Sequence, residues 1–409
     1  MSVPIDLPNS NHDAFQWATA LTLDQVKVSD LRCHARLEWQ LSAGMNLLVG
    51  GNGSGKTTLL EAICLMAHGR SFRQSRSPLL VKHGQERFMV HGQWHRFGPM
   101  HLSVAGRLGQ TSIRLQGRDI QRRKDVSESF PVLVDAPQGR KIIDAVPGER
   151  RRWLDALIMI CYPSMPSHYE RYLRAVMQRG RLLRRNVFSN ELDGWEQQIV
   201  HYGLPIVQAR QSLLEELNIE LKNELLLTED VVHLSMKKTE YASDPWLLRL
   251  QEKRRDDAKV GSLRFGPQVD VVQIHFQDRE IRSAGSRGQQ KLAAIALKMA
   301  ECALWAKHRR LIPVLLLDDC LEALDQHRQL RLFQRLQHSP AQIVMTAPDG
   351  LSLPEALDIN IQSLSDDGLQ RYTKQTSGLQ SIVTDSLKNP LKKDGIKKDN
   401  MKESMEEVA

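Results

Sequence analysis

The sequence lacks an apolar run long enough to cross a membrane, because a transmembrane helix needs about 20 such residues. Its first 20 residues hold no basic start followed by an apolar stretch, so no secretory signal is visible. The five cysteines are scattered and form no C-x-x-C pair, and the histidines show no ligand spacing. These absences argue against a disulfide framework and a zinc site. We therefore expect a cytoplasmic protein with reduced thiols.

The composition is that of an ordinary globular protein. The 409 residues are 41% hydrophobic and 25% charged, with a net charge of +8. This balance excludes a mainly disordered chain and a coiled-coil rod. The positive surplus is local, since residues 140–185 contain eleven basic and four acidic residues. A local positive field of this kind favours a polyanionic partner.

Residues 50–57 read G-G-N-G-S-G-K-T and fit the phosphate-binding pattern G-x-x-x-x-G-K-[ST] at every position. An apolar strand is predicted before this loop and an amphipathic helix after it, as the pattern requires. Glycines let successive backbone N–H groups face phosphate oxygens, and the helix N-terminus adds partial positive charge. We expect Lys56 to contact the β- and γ-phosphates of ATP and the Thr57 hydroxyl to ligate Mg²⁺. The predicted ATP-binding residues of the loop are Gly50, Gly51, Asn52, Gly53, Ser54, Gly55, Lys56, Thr57 and Thr58.

A second apolar strand, residues 314–317, ends in Asp318 and Asp319. In P-loop enzymes a carboxylate at a strand end completes the metal shell, and a following acidic residue can orient water. We assign Asp318 to the metal, Asp319 to the water, and both to catalysis together with Lys56. Since Lys56 and Asp318 are 262 positions apart, a further segment is inserted between the two halves of the site.

This spacing suggests five segments. An N-terminal extension (1–20) precedes the P-loop half of an ATPase head (21–146), and a helical lobe (147–250) separates it from the second half of the head (251–375). The lysine-rich tail (376–409) has a disordered composition. Two long helices are predicted in the lobe, the second over 195–226 with an interruption at Pro205. The apolar face predicted for the first consists of Tyr169, Leu173, Val176, Gly180, Leu183 and Val187.

Four arginines fall nearly opposite that apolar face; we call them the arginine stripe: Arg171, Arg174, Arg181 and Arg185. Such a stripe could contact successive DNA phosphates. The alternative is a solvated helix face, which is the usual reason for charges opposite an apolar face. Arg150, Arg151 and Arg152 lie nearby in sequence and are further candidates for DNA contact.

Ser286-Arg287-Gly288-Gln289-Gln290 opens a predicted helix ahead of Asp318, and Ala323-Leu324-Asp325 follows it. These segments resemble the signature motif and D-loop of ABC-type ATPases. Residues 28–32 (V-S-D-L-R), 69–73 (G-R-S-F-R) and 147–155 (P-G-E-R-R-R-W-L-D) narrow the resemblance to the bacterial RecF family of SMC-like ABC ATPases. It covers roughly residues 21–350. It implies an α/β, ABC-type P-loop ATPase head split by a helical lobe with short antiparallel arms.

The resemblance also implies function. RecF proteins are ATP-dependent homodimers that sandwich ATP between the P-loop of one chain and the signature of the other. Carried over by position, Ser286, Gly288 and Gln289 would contact the γ-phosphate across the interface, with Asp325 nearby. The family binds DNA, cooperates with RecO and RecR, and helps load recombinase at DNA gaps during recombinational repair and replication-fork maintenance. ATP turnover would be a slow, DNA-stimulated switch.

The sequence departs from better-known ABC ATPases in ways that bear on the rate of hydrolysis. Gly285 stands where the signature usually begins with Leu, Asp319 replaces the Glu of transporter ATPases, and residues 345–348 contain no switch histidine. Gln138 is a candidate Q-loop residue.

Other ABC-type proteins fit these features less well. A transporter subunit would have the switch histidine and an ordinary signature, a nuclease-bearing relative would need more sequence after Ala347, and a long-armed SMC protein would need hundreds of heptad residues. An anti-phage DNA-binding ATPase stays open as an alternative.

Overall fold

The computed structural model describes residues 18–73, 79–107, 110–136, 142–187, 190–224, 228, 232–236, 241–277, 279–350, 358–365 and 368–371. The predicted tail, most of the N-terminal extension and Gln138 lie outside the described residues. The strands, in chain order, are β1 (Thr19–Ala20), β2 (Thr22–Leu31), β3 (His34–Gln40), β4 (Met45–Val49), β5 (Arg87–His95), β6 (Pro99–Arg107), β7 (Gln110–Leu115), β8 (Arg118–Asp119), β9 (Val132–Asp135), β10 (Val232–Met236), β11 (Val272–Phe276), β12 (Arg279–Glu280), β13 (Leu311–Ile312), β14 (Val314–Leu317), β15 (Ile343–Ala347), β16 (Ile359–Ser365) and β17 (Gly368–Arg371).

The α-helices, in the same order, are α1 (Lys56–His68), α2 (Arg123–Ser129), α3 (Pro147–Cys161), α4 (Met165–Arg184), α5 (Asn190–Asn223), α6 (Ser243–Glu252), α7 (Arg254–Val260), α8 (Ile281–Ala284), α9 (Arg287–Arg309) and α10 (Gln326–Gln337). A short 3₁₀ helix covers Pro267–Val269.

A six-stranded sheet in the order β17-β16-β4-β15-β14-β9 forms the centre of the head. Its strands are parallel except for the β16–β17 pair. Both faces of this sheet are covered. Successive side chains of a strand point to opposite faces, so Leu47 belongs to the core that includes the helices of the lobe, whereas Leu48 belongs to the core that includes α1 and the second sheet. The prediction that residues 314–317 form a strand buried on both faces is confirmed.

The second sheet is antiparallel, in the order β3-β2-β5-β6-β7-β8. Its inner face packs against α1, which is buried along nearly its whole length. Thr19–Ala20, predicted to be part of a loose extension, pairs instead with Leu311–Ile312 as a parallel strand. The strand forms because the backbone groups at the edge of β13 need hydrogen-bond partners, which residues 19–21 supply.

In the lobe, α4 packs along α5, and α5 continues through Pro205 without a break. The predicted interruption is therefore wrong. The face predicted for α4 is also partly wrong, because Leu173 is 50% exposed. The helix instead buries Met165, Tyr169, Tyr172, Ala175, Arg179 and Leu183.

Arg179 explains this rotation of the α4 face. Its guanidinium is 1% exposed and pairs with Glu196 of α5 at 2.9 Å and with Asp257 of α7 at 2.8 Å. A buried arginine needs such partners, but an apolar pattern does not detect it. The same pairs tie α7 to α4 and α5, so we propose that the lobe extends beyond the predicted boundary at residue 250, past Val260.

Candidate nucleotide-binding site

The loop between β4 and α1 has the backbone that phosphate binding requires. Gly53 (φ 84°) and Gly55 (φ 98°) occupy the left-handed region that favours glycine. Helix α1 begins at Lys56, and the first N–H groups of a helix have no intrahelical acceptor. In the part of the chain that the structure describes, the buried Ser54 hydroxyl has no hydrogen-bond partner. The Ser54 hydroxyl and the helix N–H groups that precede Thr58 fit an anionic ligand, whereas the Thr58 N–H donates to the Gly55 carbonyl at 2.9 Å.

Lys56 lies inside this loop and is 7% exposed. Its Nζ donates to the carbonyl oxygens of Gly50 at 2.5 Å and Gly51 at 2.9 Å. Because an ammonium has three donors, one more is available to a phosphate oxygen.

The acidic half of the site lies at the carboxyl ends of neighbouring parallel strands. Thr57 donates to Asp318 Oδ1 at 3.1 Å although 261 positions separate them, so folding brings the two predicted halves together. Asp318 is 1% exposed. Burial raises the pKa of its carboxyl, as does the charge of Asp319, while hydrogen bonds from Thr346 and Thr57 oppose the rise. A bound cation would favour the ionised carboxylate here.

Asp319 follows in an unusual conformation. Its φ of 47° is left-handed, which strains a residue other than glycine. The Asp319 N–H donates to the hydroxyl of Thr346 at 2.9 Å, and the same hydroxyl donates to Asp318 Oδ1 at 2.8 Å. Thr346 therefore links the two carboxylate residues, and no sequence motif predicts this contact.

Lys291 of α9 approaches the same strand ends. Its Nζ lies 3.1 Å from Asp135 Oδ2 at the end of β9 and donates to the carbonyl of Asp318 at 3.4 Å. The helix that carries the signature is thus tied to the acidic end of the sheet within one chain.

Two of the sequence segments that narrowed the resemblance meet at Glu61 of α1, which is fully buried. Arg32 forms a two-pronged ion pair with it, Ser71 donates a hydroxyl to it, and Arg73 Nη1 lies 3.9 Å away. A buried carboxylate needs this compensation. The G-R-S-F-R segment therefore anchors the P-loop helix through Ser71 and Arg73.

Cys33 and His34 lie against the P-loop and were not predicted as site residues. His34 Nε2 lies 3.2 Å from the carbonyl oxygen of Gly55, and a Cβ built on Gly55 would fall 2.6 Å from Cys33 Sγ. A hydrogen bond with His34 is the largest influence on the Cys33 thiol and lowers its pKa. No local motif signals this contact, because β3 and the P-loop come together only in the fold.

The signature and D-loop form one exposed corner. Ser286 caps α9 in a reciprocal capping box with Gln289. Gly288 is buried beneath them, where an added Cβ would meet the Ala323 carbonyl at 2.9 Å. Asp325 caps α10 through the Arg328 N–H. Ser286 and Asp325 are exposed, whereas the Gln289 side chain is used within its own helix.

The structure contradicts DNA contact by Arg150. This side chain is buried, ion-pairs with Glu280 at 2.8 Å and donates to the carbonyl of Ile143 at 2.7 Å. Arg151 is partly buried and donates to the carbonyl of Asp270, whereas Arg152 is exposed beside Glu149. The arginine run at 150–152 is thus divided, because successive helix residues face different directions.

The arginine stripe is exposed along its whole length. At 3.6 residues per turn its four members fall within a sector of about 80°. Arg171 donates to the Tyr202 hydroxyl at 3.1 Å and lies over that ring. The exposed Met177 shares this face.

Comparison with known proteins shows which family the chain resembles. Residues 22–356 match the family described as "RecF/RecN/SMC N terminal domain". The chain is 32% identical to the DNA replication and repair protein RecF of Stenotrophomonas maltophilia (strain R551-3), over 80% of this chain and 93% of that protein. It is 30% identical to the DNA replication and repair protein RecF of Xanthomonas oryzae pv. oryzae (strain KACC10331 / KXO85), over 81% of this chain and 94% of that protein.

Solved structures agree on the fold. The recombination mediator protein RecF with ATP, of the RecFOR pathway, superposes with a TM-score of 0.70 at 24% identity, over 87% of this chain and 99% of that one. The Smc head domain of Pyrococcus furiosus superposes with a TM-score of 0.56 at 16% identity, over 87% of this chain and 96% of that one. The predicted fold, an α/β head of the ABC-ATPase type, is confirmed. Within the described residues, no helix has the length and apolarity to cross a membrane.

Proposed function

The chain belongs to the RecF family of DNA replication and repair proteins, and on that premise we propose that it is an ATP-driven, DNA-binding homodimer of recombinational repair and replication-fork maintenance. It acts in the cytoplasm with partners of the RecO and RecR kind and helps to load recombinase at DNA gaps. The observation that carries the proposal is the hydrogen bond between Thr57 and Asp318, since it joins the loop suited to phosphate with the carboxylate suited to a metal.

ATP binds at the loop formed by residues 50–58. The backbone N–H groups at the start of α1, the Lys56 ammonium and the unpartnered Ser54 hydroxyl supply donors to its phosphates. The Thr57 hydroxyl and an Asp318 oxygen would hold Mg²⁺, since they are the hard oxygen ligands that it prefers. When bound, it supplies neutralisation of the phosphate charge.

Asp319 orients water for hydrolysis, and turnover is slow. Its left-handed backbone and its hydrogen bond to Thr346 fix this residue beside the metal carboxylate. Strand β15 ends beside Asp319 and supplies Thr346, whose hydroxyl donates its proton to Asp318 Oδ1 of the same chain. A slow ATPase suits a switch whose ATP-bound state must last.

The exposed corner of Ser286 and Asp325 meets the ATP of a second copy. Both residues are exposed, and both lie at helix N-termini that aim N–H groups outward. The packing of Gly288 against Ala323 keeps this corner in one arrangement. Dimer closure then brings two helical lobes together, and their arginine stripes contact DNA phosphates.

Lys56→Ala tests the nucleotide site. We expect ATP affinity to fall at least about 100-fold, because a charge-assisted contact with phosphate is lost from a buried site. Titration of a fluorescent ATP analogue measures it, with Lys253→Ala, an exposed lysine of the lobe, as the matched control. Normal ATP affinity in the Lys56 variant would overturn the P-loop assignment.

Asp319→Asn tests the switch. Asparagine tolerates the left-handed conformation, so the variant should fold, bind ATP and accumulate as an ATP-bound dimer. Light scattering with ATP, with ADP and without nucleotide gives the mass. A protein that stays monomeric with ATP at all concentrations tested argues against the sandwich.

A further inference from the structure

Thr346 lies at the carboxyl end of β15 and is fully buried. Its neighbour Met345 pairs with Leu317, so the residue that follows lies beside Asp318. None of the sequence patterns above marks this threonine.

A hydroxyl carries a single proton, which fixes the direction of the hydrogen bonds around Thr346. Its proton goes to Asp318 Oδ1 at 2.8 Å, so the contact with the Asp319 N–H at 2.9 Å uses a lone pair of the hydroxyl. The order is therefore Asp319 N–H to Thr346 Oγ1–H to Asp318 Oδ1.

We propose that Thr346 is a positioning residue that sets Asp318 and Asp319 as one unit for metal and water. The inference rests on the proposed function of this site. Thr346 acts through the two carboxylate residues and touches neither ATP nor the metal itself.

Asp318 Oδ1 accepts from both Thr57 and Thr346. The Thr57 hydroxyl would serve both Mg²⁺, through a lone pair, and the carboxylate, through its proton. Thr346 is therefore the partner whose role is only to hold the carboxylate. The other bond of Thr346 restrains Asp319 in a conformation that costs roughly 1–3 kcal/mol when unsupported.

Three substitutions separate the hydroxyl from the volume of the side chain. Thr346→Val keeps the shape and removes the hydroxyl, Thr346→Ala removes both the hydroxyl and a methyl group, and Thr346→Ser keeps the hydroxyl. Valine and alanine leave the partly buried Asp319 N–H without its acceptor and Asp318 without one of its two donors.

The first measurement is the affinity for a fluorescent ATP analogue with Mg²⁺ and with EDTA. For wild type and Thr346→Ser we expect Mg²⁺ to strengthen binding by similar factors, within about threefold of each other. For Thr346→Val and Thr346→Ala this strengthening should fall by about tenfold, the usual effect of losing one hydrogen bond to a charged group, while affinity in EDTA changes less than about threefold.

The second measurement is hydrogen exchange of the nucleotide-free protein in the peptide that contains Asp319. Exchange should be faster in the valine and alanine variants and unchanged in the serine variant. It needs neither ATP nor turnover, and it reports whether each variant folds.

Lys56→Ala in the same assay separates the two levels of inference. If it binds ATP normally, the proposed nucleotide site is wrong. If it loses ATP while the valine or alanine variant keeps the wild-type Mg²⁺ effect, only the role of Thr346 is overturned. A serine variant that loses the Mg²⁺ effect as completely as alanine would also overturn it, since packing and not the hydroxyl would then be responsible.

Discussion

Replacing the arginine stripe by alanine removes three exposed positive charges from one face of α4 and a fourth from Arg185, the residue that follows the helix. The first and last positions are 14 steps apart, about 21 Å at 1.5 Å per residue, and all four fall within one sector of the helical path. This length matches about six base pairs of duplex at 3.4 Å each, so the four side chains can reach separate phosphates.

The size of the effect follows from counterion release. Each duplex phosphate contact contributes about 0.9 to the slope of log affinity against log salt. Losing four contacts lowers the slope by about 3.6, so the gap between variant and wild type shrinks about 150-fold from 50 to 200 mM salt. If Arg171 remains on Tyr202, three contacts give about 2.7 and a change of about 40-fold.

Fluorescence anisotropy with a labelled duplex, at five salt concentrations and with the non-hydrolysable ATP analogue present, measures both slopes. The matched control removes four exposed arginines from the antiparallel sheet, Arg87, Arg107, Arg114 and Arg118, and so changes the net charge equally. An unchanged slope in the stripe variant, or an equal change in the control, would return the stripe to an ordinary solvated face.

Two further predictions follow from titrating groups. Cys33 is exposed and its pKa is lowered, whereas burial raises the pKa of Cys64, Cys161 and Cys320 to about 12. Iodoacetamide near pH 7.5 should therefore label Cys33 first, and ATP should slow the reaction. Mass spectrometry that finds another cysteine labelled first would contradict this prediction. Burial alone would raise the pKa of Glu216, but hydrogen bonds from His308 and Lys307 lower it from 4.5 to about 2. Glu216→Gln should therefore lower the free energy of unfolding by about 2 kcal/mol at pH 7, after allowance for solvent screening. Because the folded pKa is depressed, that contribution is complete above pH 4.5 and declines as the pH falls toward 2; urea titrations at pH 7 and 3.5 that give the same difference would count against it.

The sequence was most informative where local chemistry determines local structure. The strand and helix around the P-loop, the strand before Asp318 and the capped start of α9 at Ser286 all lie where the residues predict them. In each case the pattern occupies consecutive positions, and the physical cause is a glycine conformation, an apolar run or a cap. In the antiparallel sheet, the alternation of Phe88, Val90 and Trp94 is the sequence signal for β5.

Contacts between distant positions account for what the sequence did not reveal. Arg179 is charged and yet buried, so a pattern of apolar residues does not include it in the buried face of α4. The predicted face is therefore displaced around the helix from the observed one. The two carboxylates that bury it, Glu196 and Asp257, come from other helices. A buried arginine can be predicted only when its carboxylate partners are known, because the charge is stable in the protein interior only where such partners compensate it.

The acidic half of the site was predicted only in part, because contacts between distant positions complete it. Asp318 and Asp319 are adjacent in sequence and follow a recognisable strand, whereas Thr346, Lys291 and Asp135 reach them from other elements. Parallel strands make this outcome general, since their carboxyl ends converge on one edge while their sequences lie far apart. A motif search finds the residue at the end of one strand, and the neighbouring strand ends supply the side chains that hold it in place.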